Sequence, residues 1–172
     1  MSNSQRGSVY RDFSELKYVI EGQGQPAIVI GSSLYYPKSF SQNLRKHFRI
    51  AFIDWRGFAK STSEKGDSGI TLNTFLEDIE SIRQQIGFER CILIGHSAHA
   101  LLALEYAKKY SENVSHVVMI GISPNLSADM ATFAQSNWEE SVWPERKEAL
   151  ENRIKQLPDT ELEKMPPSER FI

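Results

Sequence analysis

Ile94-Gly95-His96-Ser97-Ala98 is the stretch that decides how this chain is read. An apolar run, Cys91-Ile92-Leu93-Ile94, enters it, and a Leu-rich helical pattern with small residues leaves it. Four consecutive apolar residues ending in turn chemistry predict a strand covered on both faces. A serine on a sharp turn from such a strand into a helix has its hydroxyl lifted clear of the sheet, and the turn admits only small neighbours. A nucleophile needs that placement. No histidine follows His116, however, so the usual proton acceptor for such a serine is missing downstream.

Outward from this turn, buried strands alternate with helical patterns. Leu16–Glu21 reads as a half-exposed strand ended by Gly22 and Gly24, and Ala27–Ile30 and Ile50–Ile53 as buried strands. Phe40, Leu44 and Phe48 recur at four-residue spacing behind Pro37, which predicts a helix between those two strands. Leu72, Phe75, Leu76, Ile79, Ile82 and Ile86 form one helical stripe, with Thr71 or Asn73 as cap and Gly87 as stop. Ala98–Tyr110 reads as the helix after Ser97, and Val117–Ile120 as a fourth buried strand. This alternation predicts an α/β fold, a mostly parallel sheet with helices on both faces. After Pro124 the chain becomes charged. Leu150, Ile154 and Leu157 predict a short amphipathic helix opened by Pro144 and stopped by Pro158. The expected organisation is a core over residues 1–124 and a helical excursion over 125–172.

Bulk properties narrow the function. The 172 residues fit one ordinary domain, and 40% hydrophobic residues suffice for a core. A net charge of -2 offers nothing to nucleic acid or an anionic membrane. The single cysteine, Cys91, lies in a predicted strand and reads as a small hydrophobe. The polar N-terminus lacks the apolar stretch of a signal peptide, and no run approaches the ~20 apolar residues of a membrane span. A cytoplasmic protein is the expectation. No zinc-ligand cluster or phosphate-binding glycine loop occurs, so no cofactor and no metal are expected.

Two motifs carry a resemblance. The Gly95-His96-Ser97 turn in its strand-helix setting is one. The other, Asp54-Trp55-Arg56-Gly57-Phe58-Ala59-Lys60-Ser61, is similar to the Asp-x-Arg-Gly-x-Gly-x-Ser loop of the α/β-hydrolase superfamily. From about Leu16 to Pro124 the chain resembles that superfamily, most of all its proline iminopeptidase and small-ester hydrolase group. The superfamily also contains dehalogenases and epoxide hydrolases with an aspartate nucleophile; a serine at position 97 favours attack on an ester or amide carbonyl through an acyl-enzyme. The substrate is then a small-molecule ester or amide.

The resemblance also implies roles for neighbouring residues. The Ala98 backbone N–H would form half of an oxyanion hole. The other half would come from the loop Gly31-Ser32-Ser33, which often begins His-Gly in relatives; Ser33 is the better donor and Ser32 the lesser. His99 stands where relatives carry the second glycine of Gly-x-Ser-x-Gly, and packing suits it better than catalysis. His96 is expected to be oriented locally, His47 to end a helix and His116 to be structural. Asp54 would order its loop. Asp129 is a lesser candidate for the triad acid, since Ser127-Ala128-Asp129 also suits a helix cap.

The segment after Pro124 would begin a lid. Met130, Phe133, Trp138 and Trp143, with Tyr35 and Tyr36, either line an apolar pocket or pack the structure. For an aminopeptidase, Glu139 or Glu140 would meet the substrate amine; the alternative is that both are simply solvated. Relatives continue past the lid, and their later strands supply the acid and the histidine. With neither present, this C-terminally truncated fold is expected to be inactive alone and to expose a sheet edge open to self-association. A non-catalytic remnant and an interaction module are the alternatives.

Overall fold

The computed structural model describes residues 4–58, 60–61, 70–122 and 127–156. By packing the chain divides into two units, Met1–Ile122 and Ser123–Ile172. The first holds strands β1 (Gln5–Arg11), β2 (Ser14–Glu21), β3 (Gln25–Gly31), β4 (Phe48–Asp54), β5 (Lys60–Ser61), β6 (Cys91–His96) and β7 (Val114–Ile120). Its helices are α1 (Tyr36–Ser39), α2 (Leu72–Gln85) and α3 (Ala98–Lys109). The strand order is β1-β2-β4-β3-β6-β7, with β5 also paired to β2. The run β4-β3-β6-β7 is parallel, while β2 is antiparallel to β1, β4 and β5. The sheet is therefore mostly parallel, as the strand-helix alternation implied.

The parallel register aligns side chains by face. Ile28 lies beside Ala51 and Leu93, and Val29 beside Phe52 and Ile94. On the first face Ile28, Ile30, Ala51, Ile53 and Leu93 join Leu76, Ile79 and Ile82 of α2 and Ala103 and Tyr106 of α3 in one core. Each fully buried aliphatic side chain there contributes about 1.5–3 kcal/mol. The second core, on the opposite face, is smaller: Ala27, Val29, Ile50 and Phe52 under Tyr36 and Phe40.

The ends of α2 follow its sequence signals. Thr71 and Thr74 form a reciprocal capping box. Gly87 takes φ +70, and the amides of Gly87 and Phe88 return to the carbonyls of Gln84 and Arg83. That pairing is a Schellman stop, and its left-handed residue favours glycine. A buried ion pair fastens the same helix to the Asp54–Ser61 loop. Arg56 Nε donates to Asp78 Oδ2 at 2.8 Å and its Nη2 to Oδ1 at 2.6 Å. Burial above all pushes the Cys91 thiol up to about 12, consistent with a packing role.

Several expectations need correction. No long helix joins β3 to β4. The chain makes the four-residue α1, turns extended at Phe40, and makes one 3-10 turn at Leu44–Lys46 before β4 begins at Phe48. The physical reason is local: the Ser41 hydroxyl accepts from Asn43 N–H and starts a new turn, and the Arg45 guanidinium fastens it by donating to the carbonyls of Pro37, Phe40 and Ser41. β7 is not a buried strand. It lies at the end of the strand order, and Val118, Met119 and Ile120 are each about 40% exposed. β2 is more enclosed than a half-exposed strand, with Leu16, Val19 and Ile20 all buried. The hairpin strand β1 had no sequence signal, because its turn uses Asp12 (φ 43) and Phe13 (φ 66) in place of the Asn-Gly or Asp-Gly that marks such turns.

In the second unit, α4 (Ala128–Ser141) starts at an N-cap Ser127, and α5 (Pro144–Gln156) starts at Pro144. Met130, Phe133, Ala134 and Trp138 fall at helical spacing in α4, as Leu150 and Ile154 do in α5. Leu157 and Pro158 lie outside the described residues, as do Ala59 of the Asp54–Ser61 loop and Pro124. Among the described residues, no helix is long and apolar enough to cross a membrane.

Candidate active site

The parallel strands β3, β4 and β6 all end at the same edge of the sheet, where α/β folds place their ligands. Their last residues, Gly31, Asp54 and His96, lead into three segments that meet there.

Ser97 is the residue between β6 and α3, with φ 55 and ψ −133. For a residue with a Cβ this backbone is strained, at a cost of about 1–3 kcal/mol. Two hydrogen bonds hold the strain. Ser97 N–H donates to Ile120 O at 2.9 Å, and Ala100 N–H donates to Ser97 O at 3.0 Å. The side chain makes no cap to its own helix, and the residue is exposed. Ala98 is the first residue of α3, so its N–H has no intrahelical acceptor. Gly95 makes the turn possible by its lack of a side chain. A Cβ there would stand 2.3 Å from His99 O and 2.5 Å from Ala100 Cα.

The Gly31–Ser33 loop is tied to the end of β4. Trp55 N–H donates to Gly31 O at 3.1 Å, and Ser33 N–H donates to Asp54 Oδ1 at 2.6 Å. Ser33 and Asp54 are both buried. Burial pushes the Asp54 carboxyl above its ordinary value, and the bonds from Ser33 oppose that rise. Asp54 therefore orders the loop, and the Ser33 amide points at this carboxylate. The Ser32 hydroxyl accepts from the amides of Leu34 (3.2 Å) and Tyr35 (3.1 Å), which shapes the turn after β3.

None of the four histidines contacts Ser97 as a base. His96 Nδ1 lies 3.3 Å from the Tyr36 hydroxyl. His99 sits among aromatic rings, with centroids 5.2 Å from Trp55, 6.4 Å from Phe58 and 6.5 Å from Tyr36. Burial holds its pKa below the ordinary imidazole value, against a hydrogen bond to the His96 backbone. His47 closes the 3-10 turn and His116 is an exposed residue of β7.

Beside His96 lies an open cavity of about 290 Å³, lined by Tyr35, Tyr36, Phe40, Leu44 and Ile120 with Ser39 and Ser41. The two tyrosines thus differ: Tyr36 is buried as a core ring, and Tyr35 is 40% exposed. Asp129 is in the first turn of α4, and in the same unit Phe133 and Trp143 are exposed. Among the described residues no three histidine, cysteine, aspartate or glutamate side chains gather as metal ligands.

The contact of His99 with the loop goes beyond the sequence reading. The sequence shows a glycine at 31 and a histidine at 99, 68 residues apart. Neither residue points to the contact without the other.

Residues 24–161 match the family described as alpha/beta hydrolase fold. The chain is 37% identical over 166 residues to AB hydrolase superfamily protein YclE of Bacillus subtilis, across 96% of this chain and 58% of that protein. It is 29% identical to a probable proline iminopeptidase of Streptomyces coelicolor, across 78% of this chain and 43% of that protein. Among solved structures, a proline iminopeptidase-related protein of Thermus thermophilus shares the fold, with a TM-score of 0.59 at 22% identity, over 68% of this chain and 44% of that one. The chain belongs to the α/β-hydrolase family. It spans about half the length of these curated relatives.

Proposed function

We propose that Ser97 is the nucleophile of a serine hydrolase acting on a small ester or amide through an acyl-enzyme. The observation that carries this reading is the strained, exposed Ser97 at φ 55, ψ −133, with an uncommitted Ala98 amide next to it. Strain of this kind persists where the surroundings hold it, and it clusters at reactive sites. The Ala98 N–H would hold the developing oxyanion. Ser33 N–H is the second donor in this reading, and it must turn from, or be shared with, Asp54 Oδ1. The cavity at Tyr35 and Phe40 suits an apolar acyl group. The unit after residue 122 is read as a lid, with Met130, Phe133, Trp138 and Trp143 its apolar residues.

A base is what Ser97 lacks within the described residues. Loss of a triad histidine lowers kcat by on the order of 10⁶ and leaves a residual ~10³–10⁴ over water from oxyanion stabilisation and binding. The chain alone is therefore expected to acylate slowly and to turn over more slowly still. Incubation with p-nitrophenyl acetate at pH 8, intact mass and peptide mapping test this. An acetyl group on Ser97 that Ser97→Ala lacks is the expected result; equal acetylation of scattered lysines and no adduct on Ser97 would overturn it. The alternative is a non-catalytic member that keeps the fold, and a wild-type chain without the Ser97 adduct would support it.

A further inference from the structure

His99 and Gly31 occupy one site between them. A Cβ built on Gly31 would stand 3.0 Å from both Nδ1 and Cε1 of His99 and 2.6 Å from Cε2 of Tyr36. Gly31 has φ +140, a backbone open to glycine and strained for other residues. The imidazole reaches this place from α3, two residues beyond Ser97, and is walled by Trp55, Phe58 and Tyr36. Those rings belong to the segments that follow β3 and β4. The same loop is held from the β4 side by Trp55 N–H on Gly31 O and by Asp54 on the Ser33 amide. Register places Ile30 beside Gly95, so the loop after β3 and the turn after β6 leave the sheet side by side. Asp54 and Trp55 hold the loop from one side, and the His99 ring stands against Gly31 on the side of the Ser97 turn.

We propose that His99 is a positioning residue. Its imidazole takes the side-chain space that residue 31 gives up, and it locks the Gly31–Ser33 loop, with its Ser33 amide, against the helix that carries Ser97. The lock is steric. The ring is half-buried and edge-on to Trp55 and Phe58. Glycine at 99 would leave the loop unsupported on this side, and any side chain at 31 would contend for the ring's place. The consequence for reactivity rests on Ser97 being the nucleophile; the positioning itself does not.

The experiment has two arms on the full 172-residue chain. The first measures amide hydrogen exchange at Ser33 and an unfolding cycle with Gly31→Ala, His99→Gly and the pair. The expected result is at least tenfold faster exchange at Ser33 in His99→Gly, with the amides of Val29 and Ile53 unchanged. Gly31→Ala should also lower the folding equilibrium constant at least tenfold less when His99 is glycine. His99→Gln, which restores a planar polar side chain, should bring Ser33 exchange back to within threefold. Unchanged exchange at Ser33, or additive effects in the cycle, overturns the proposal. The second arm follows the rate of Ser97 acetylation by p-nitrophenyl acetate, where His99→Gly should be about tenfold slower and His99→Gln near wild type. The core variant Ile79→Val, with some loss of stability, should keep the wild-type rate. Absence of acetylation in the wild-type chain would defeat the hydrolase reading and leave the first arm to decide the role of His99.

Discussion

The two faces of the sheet are built to different standards. On one, α2 and α3 bury Ile28, Ile30, Ala51, Ile53 and Leu93 completely. On the other, α1 and its following turn cover β3 and β4, while Val118 and Ile120 of β7 remain about 40% exposed. The Ser97 turn sits where these regimes meet. Its helix belongs to the well-packed face, and its strand neighbour on the outer side is β7, whose Ile120 carbonyl accepts the Ser97 amide. A strained turn needs rigid support, and here it comes from both sides: α3 on the packed face and the Ile120 carbonyl of β7. The open face contributes the cavity at Tyr35 and Ile120.

Five substitutions and a pH titration sharpen this contrast. The largest effect is expected on the packed face. Asp78→Ala removes the bidentate partner of the buried Arg56 guanidinium, leaving it Asp12 and the Ser14 hydroxyl, and should cost about 3 kcal/mol in chemical denaturation. Next, Ser97→Gly should raise stability by about 1 kcal/mol by relieving the backbone at φ 55, while abolishing any acyl adduct. No gain in stability would mean that the turn stores no strain.

A shallower effect comes from pH. Burial holds His99 below its ordinary imidazole value, so the unfolded chain binds the proton first. The contribution of His99 is fully present above the ordinary value of about 6.5 and is lost as pH falls from there toward its folded value. His99→Gln should flatten the stability profile below the ordinary imidazole value of about 6.5; identical profiles would contradict the assigned burial. The smallest effect belongs to the open face. Val118→Ser and Ile120→Ser should change unfolding free energy by no more than about 0.5 kcal/mol. If the exposed β7 edge drives self-association, the same pair should lower the sedimentation coefficient at high protein concentration. A large loss of stability from either would show that β7 is covered.

Most of the strand and helix pattern was legible because its signals are local. The run Ala27–Ile30, the stripe Leu76–Ile79–Ile82 and the caps at Thr71 and Gly87 each state their own structure. The failures lay outside the spacing signal. The spacing of Phe40, Leu44 and Phe48 resembles a helix, but the Ser41 hydroxyl starts a new turn there and the Arg45 side chain fastens it. The four apolar residues Val117–Ile120 read as buried, though burial depends on what lies beyond the strand. Ser97 and Gly95 stood out in the site because a turn of this kind has a sequence signature. The bond from Ser33 to Asp54 and the packing of His99 on Gly31 join residues far apart in the chain, and no spacing rule reveals them.

Nucleophilic attack by Ser97 requires that its oxygen be accessible and activated by its setting. A fluorophosphonate probe measures this directly, as the second-order rate of labelling in the wild-type chain against Ser97→Ala, with the adduct mapped by mass spectrometry. The expected result is a single adduct on Ser97, formed at least tenfold faster than any labelling of the alanine variant. Equal rates in the two proteins, or an adduct elsewhere, would contradict it.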